Sequence, residues 1–159
     1  MIGIGLCLTV GLLTVEQGYA EEDKQGIEGV WHVDEVILSD CSPTGVPVRT
    51  IVDMKMFIHG GQLIETSGTP GVGAPPLQRG SPGLGTWQHL GQRHYSAVFR
   101  FFRFDGSNDT FVGIYVVYKD IKLSKDGNAF TATGTTDIFD ATGTLIRTGC
   151  TTETAMRLE

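Results

Sequence analysis

The 159-residue chain is short of charge, of cysteine and of any apolar run long enough to cross a bilayer. Only 19% of its residues are charged, and the balance is acidic, with a net charge of −6 and a pI near 5.1. That balance argues against the basic face of a nucleic-acid binder and against docking on anionic lipid. No Cys-x-x-Cys or His-x-x-x-His spacing supports a zinc site. No Gly-x-Ser-x-Gly elbow presents a nucleophile, and Gly71-x-Gly73 precedes no helix that would make it a phosphate loop. No window sustains a helical period between caps. What is present is a 40% hydrophobic, Gly-rich composition, with 22 Gly, in a chain of single-domain length.

Met1 to Val15 carries no charge, and Gly18-Tyr19-Ala20 places small residues at the −3 and −1 positions of a cut after Ala20. We therefore expect residues 1–20 to be a secretory signal peptide and residues 21–159 a single domain, secreted or periplasmic, with no membrane attachment after processing. No Lys or Arg precedes the apolar run, and a buried N-terminal element is the alternative. Cys7 follows the bulky Leu6, which disfavours lipid attachment. Removing Cys7 leaves Cys41 and Cys150, an even count for an oxidising compartment, and we expect a disulfide between them. It would close a loop of about 110 residues, worth about 4 kcal/mol in the chain-entropy model. Two free, buried thiols are the alternative.

The remaining chain alternates with period 2 between turn signals, which predicts eight strands. They run over roughly 28–39, 51–59, 62–67, 84–90, 94–104, 110–123, 128–139 and 144–158. Gly60-Gly61, Asp105-Gly106, Asp126-Gly127 and Asp140-Ala141-Thr142-Gly143 supply the tight turns. In the second strand Val52, Met54, Met56 and Ile58 share one face, taken here as the core face. Asp53, Lys55 and His59 share the other, taken as the wet face. Gly68 to Gly85, rich in Pro and Gly, is expected to be a long loop, either covering a site or carrying no role.

Eight strands joined by short turns form an up-and-down meander, and closure into an antiparallel barrel removes its two exposed edges. The Cys41–Cys150 bond would then tie together the strands that closure makes neighbours. A β-sandwich is the competing architecture. Gly29-Val30-Trp31 on the opening strand resembles the Gly-x-Trp motif that begins lipocalins and related calycin barrels. The resemblance implies that Trp31, with Gly29, plugs one end of the barrel and that Arg157, at the end of the last strand, packs across it. Gly85-Thr86-Trp87 repeats the motif mid-chain. The turn motif typical of the family's middle is not recognisable.

Tyr95, Phe99 and Phe101 share one face of their strand, with Val98, Arg100, Phe102 and Phe104 on the other. An apolar outer face signals an interface, so we expect the Val98/Arg100/Phe102/Phe104 face to be covered by a second subunit or by the 68–85 loop. Inside, Met54, Met56, Trp87, Tyr95, Phe99, Arg103 and Tyr115 are the candidate ligand-binding residues. Rings and thioethers would supply burial, and Arg103 or Tyr95 would orient a polar head. The four histidines, His32, His59, His89 and His94, form no metal spacing. A His89/His94 hairpin pair with Glu65 nearby is a minor candidate for metal or acid–base chemistry. Asp34 and Glu35 are adjacent and so face opposite ways. The expected function is the binding of a small apolar molecule, with no cofactor, metal or catalytic residue assigned. A barrel cyclase or isomerase that works by positioning, and a filled structural or partner-binding barrel, are the alternatives.

Overall fold

The computed structural model describes residues 26–67 and 78–158. The expected signal peptide, Cys7 and residues 68–77 of the 68–85 stretch lie outside the described residues. Among the described residues there are nine strands: β1 (Gly29–Leu38), β2 (Pro47–Ile58), β3 (Gln62–Ser67), β4 (Gln78–Gly80), β5 (Gly83–Gly91), β6 (His94–Asp105), β7 (Phe111–Leu123), β8 (Ala129–Asp140) and β9 (Leu145–Arg157). All pairings are antiparallel, in the ring β1-β2-β3-β5-β6-β7-β8-β9. The ring shuts where β9 returns beside β1, from Trp31 opposite Arg157 to Ile37 opposite Thr151. The chain is thus a closed, eight-membered, up-and-down barrel of calycin-like form. Full pairing around the ring leaves none of these strands as a bare edge.

β4 and β5 occupy one position in that ring. β4 lies against Arg103 to Asp105 of β6, and β5 resumes the pairing at Leu84 opposite Arg100. The interruption falls at Ser81-Pro82, where proline has no N–H to offer. Ser81 repairs it twice, donating its N–H to Phe102 O and accepting the Phe102 N–H on Oγ, each at 3.0 Å. The 68–85 stretch is therefore not all loop: strand structure begins at Gln78.

The turns follow from local chemistry. Gly60 and Gly61 take φ of +88° and +89° between β2 and β3, a conformation that glycine adopts without a Cβ penalty. At four loops an aspartate accepts the N–H two residues on: Asp40 from Ser42, Asp105 from Ser107, Asp126 from Asn128 and Asp140 from Thr142. Those Asx turns hold the exposed loop backbone in place of a ladder.

One end of the barrel is plugged. Residues 26–28 cross it, with Ile27 buried, and the Trp31 indole N–H donates to Ile27 O at 2.9 Å. The Trp31 ring meets Phe130 at 4.9 Å between centroids, and Phe130 meets Phe57 at 6.0 Å. Arg157 lies 4.3 Å over the Trp31 ring, and its guanidinium donates to the carbonyls of Gly26 and Gly127. Leu63, Ile121, Leu123 and Ala155 fill the space behind. Each large apolar side chain so buried contributes about 1.5–3 kcal/mol. Cys41, in the loop after β1, is bonded to Cys150 of β9 with Cα atoms 5.1 Å apart, so the disulfide ties the loop leaving β1 to the strand that shuts the ring beside it.

Candidate functional site

Moving along the bore from the plug, the interior changes character. The inward positions next in line are Glu35 on β1, Asp53 and Lys55 on β2, Glu65 on β3, Lys119 on β7, and Thr151 and Glu153 on β9, and all are buried. This reverses the expected facing of β2. Asp53 and Lys55 are each only 1% exposed, whereas Met54 is 50% and Met56 41% exposed on the outer wall. Alternation defines two faces without saying which is inside. Phe57 decides it, because it lies on the same face as Asp53 and Lys55 and belongs to the plug.

Glu153 is the hub of the layer. Its Oε1 accepts from Lys55 Nζ at 2.9 Å and from Lys119 Nζ. Lys119 also donates to Glu35 Oε1 at 2.6 Å and to Thr151 Oγ1 at 2.7 Å. Lys55 reaches Glu65 Oε2 at 3.5 Å, and its ammonium sits 5.8 Å from the Phe99 ring centroid. Glycines make room for these side chains. Gly134 lies opposite Lys119 across the β7–β8 ladder, and a Cβ there would come within 2.5 Å of the Lys119 Cδ. Gly83 lies opposite Glu65 in the same way across β3 and β5.

The electrostatics separate the carboxyls. Burial works to raise the pKa of Glu35, but Lys119 and Lys55 outweigh it and hold that carboxyl at about 2. Burial dominates at Glu65, reinforced by the charges of Asp53, Glu35 and Glu153 against Lys55, and pushes it up to about 8. For Lys55 and Lys119 burial works downward, yet the surrounding carboxylates raise both above the usual lysine value. Glu65 Oε2 lies 3.5 Å from Lys55 Nζ and makes no hydrogen bond. Carboxylate oxygens of Glu35, Asp53 and Glu65 approach within 4.8 Å of one another, the one grouping among the described residues with the donors for a metal ion. The Lys55 ammonium, which acts on all four acids of the layer, already supplies positive charge there.

Beyond the layer, at the end opposite Trp31, the bore is lined by Phe101, Arg103 and Tyr115. The two rings are 4.7 Å apart and the Arg103 guanidinium lies 4.6 Å over Tyr115. The expected ligand residues thus fall into separate places. Phe99, Arg103 and Tyr115 line the middle and far part of the bore. Trp87 and Tyr95 belong to the wall near the plug, in contact at 5.9 Å, with the Trp87 indole donating to Ile58 O. Met54 and Met56 do not reach the bore at all. The His89/His94 idea also dissolves: His89 bonds Gln92 O and stacks on Tyr95, His94 pairs with Asp120, and Glu65 is inside with Lys55. Two grooves of about 420 and 490 Å³ lie along β7–β9, the first also bordered by Leu38 and Cys41 and including Lys119 and Thr151, the second also bordered by His32 and Asp34 of β1; neither borders Phe99, Phe101 or Tyr115.

Sequence reasoning missed Glu35, Asp53, Lys55, Lys119 and Glu153 as a group. The available signal was that Glu35, Lys55, Lys119 and Glu153 each sit two residues from a core side chain of their own strand (Val33, Phe57, Ile121 and Ala155), with Asp53 two residues further along β2 on the same face. No protein-family model matches the chain, and no curated protein matches it in sequence.

Proposed function

We propose that this chain is an exported barrel that binds a small, largely apolar molecule in the part of the bore beyond the charged layer, with a polar head turned toward that layer or toward Arg103. The observation that carries the reading is the buried layer itself. Six ionisable groups packed across a barrel are a poor way to stabilise it, because desolvation offsets much of the Coulomb gain. Groups with strongly shifted pKa values gathered in a concave interior are candidates for a working site. Phe99, Phe101 and Tyr115 provide the apolar surface and Arg103 the directional donor. The Cys41–Cys150 bond favours an oxidising compartment and hence export.

A second reading has its own support. Glu65, pushed up to about 8, stands beside Glu35, held at about 2. Two carboxyls driven apart by their surroundings are the arrangement that acid–base catalysis uses. In that reading the barrel isomerises or cyclises its ligand, with Glu65 giving or taking the proton.

Native mass spectrometry of protein purified from its source tests both. A bound mass released on denaturation, and weakened at least tenfold by Tyr115→Ala or Arg103→Gln, is the expected result. Protein that carries no bound mass, and whose thermal midpoint no apolar compound shifts, overturns the binding reading. Recovery of the ligand in altered form with the wild type but unaltered with Glu65→Gln would replace carriage by catalysis.

A further inference from the structure

The charged layer holds more acid than base, and the excess lies to one side. Four buried carboxyls, of Glu35, Asp53, Glu65 and Glu153, share it with two lysines, and Arg103 farther along the bore brings the bases only to three. Residues 68–77, which follow β3, add no charge. Both lysines converge on Glu153 Oε1, and Lys119 also takes Glu35. Glu65 Oε2, by contrast, is 3.5 Å from Lys55 and accepts no hydrogen bond, although Glu65 is buried. The excess thus falls on β1, β2 and β3, where oxygens of Glu35, Asp53 and Glu65 come within 4.8 Å of one another. A buried carboxylate without a full partner is costly, and an opposite charge relieves it.

The bore has room beside these acids. By alternation Gly149 is the next inward position of β9 beyond Thr151, and a Cβ there would meet nothing within 4 Å. Ile37, Ile51, Phe101 and Tyr115, the next inward residues of their strands, are only half-buried. Phe99 borders the layer, and Phe101 and Tyr115 continue an aromatic wall beyond it. Lys55 already shows what carboxylates and a ring hold together, since its ammonium lies among Glu153, Glu65 and Phe99.

Resting on the binding reading above, we propose that the molecule held in the bore has a cationic head, an alkylammonium, which docks among Glu35, Asp53 and Glu65. An ammonium that donates to three acceptors at about 2.8 Å sets them about 4.6 Å apart by its tetrahedral geometry, a span that the three oxygens accommodate. A divalent metal is the poorer occupant: it draws six or more oxygens in to about 2.0–2.6 Å, and here it would meet the Lys55 ammonium beside them. Glu65 is faced by Lys55 and Asp53 of β2, Glu35 of β1, Glu153 of β9, the Phe99 ring of β6 and the bare Gly83 of β5. Burial and the three other acids outweigh Lys55 and push its carboxyl up to about 8, so without the amine a proton on Glu65 offsets part of the excess. Seating the amine sends that proton to solvent: one cation enters the layer and one leaves.

Isothermal titration calorimetry of the disulfide-bonded protein with decylamine, decanol and decanoate, in buffers of high and low ionisation enthalpy, tests this. Decylamine is expected to bind at least tenfold more tightly than the other two and to release close to one proton at pH 7. Its affinity is expected to rise by up to about tenfold per pH unit between pH 6 and 8. In Glu65→Gln the proton release, the pH dependence and the preference for the amine should all disappear. Should that variant misfold, the comparison of the three compounds on the wild type decides alone. Decanol or decanoate binding as tightly as decylamine overturns the inference and leaves the binding reading standing. Amine binding without proton release overturns it too, as does a thermal midpoint raised by calcium but not by decylamine. If none of the three binds, the inference falls, and native mass spectrometry of the purified protein decides separately whether the binding reading falls with it.

Discussion

The plug and the charged layer are neighbours in one bore and equally hidden from water, yet they are built from opposite materials. The plug is made of rings and aliphatic side chains whose burial is favourable in itself. The layer is made of lysines and carboxylates whose burial is unfavourable until each finds a partner. The plug explains why the chain folds. The layer explains little about folding, and its presence beside so efficient a core is what directs attention to function.

Removing a piece from either region is expected to be costly, for different reasons. Phe57→Ala should lose about 3–5 kcal/mol in urea denaturation through the cavity it leaves. Lys55→Ala should lose a similar ~3–5 kcal/mol by removing one of the two buried cations that face Glu153, Glu65, Glu35 and Asp53. The contrast emerges in Lys55→Met made together with Glu153→Leu and Glu65→Leu. This triple exchange should recover most of that loss while abolishing ligand retention, whereas no polar replacement at Phe57 recovers anything. If the triple variant is as unstable as Lys55→Ala, the layer is structural after all.

Next in size is the disulfide, which belongs to neither region. Cys41→Ser with Cys150→Ser should cost about 2–4 kcal/mol and, under the proposed binding role, leave ligand retention unchanged. Equilibrium unfolding read alongside native mass spectrometry checks both halves of that statement.

Smaller again is a dependence on pH confined to the layer. Glu65 holds its proton more tightly in the folded chain than in the unfolded one. Its contribution to stability is therefore complete below pH 4.5 and is lost as pH climbs toward 8, with a slope on the order of 1 kcal/mol per pH unit. Glu35 works the other way, with a contribution present above pH 4.5 and lost as pH falls toward 2. Glu65→Gln should flatten the decline between pH 5 and 8 in a urea series, and a decline that persists would remove Glu65 from this role. The smallest effect is expected on the outer wall, where Met54→Gln should change the stability of the fold by less than about 0.5 kcal/mol.

Much of the fold was legible because period 2 and Asp-Gly or Gly-Gly turns act over a few residues at a time. Closure was legible from the lack of long crossovers, and the Cys41–Cys150 pairing from parity. The inner surface was not, since hydropathy assigns lysine and aspartate to water, and in β2 that default pointed the whole strand the wrong way. Only long-range pairing reveals that Lys55 meets Glu153, 98 positions away. The extra strand at Gln78 was hidden behind the prolines and glycines on either side of it.

Because the ring shuts with Trp31 beside Arg157, and Leu158 N–H still donates to Val30 O at 2.8 Å, entry and exit of the polypeptide lie side by side at the stoppered pole. A linker joining them, with a new opening cut at the Gly143 bend, should give a permuted chain that folds to the same vessel. A passenger domain joined directly ahead of Gly26 or after Leu158 would hang from that pole, at the far end of the bore from Arg103 and Tyr115.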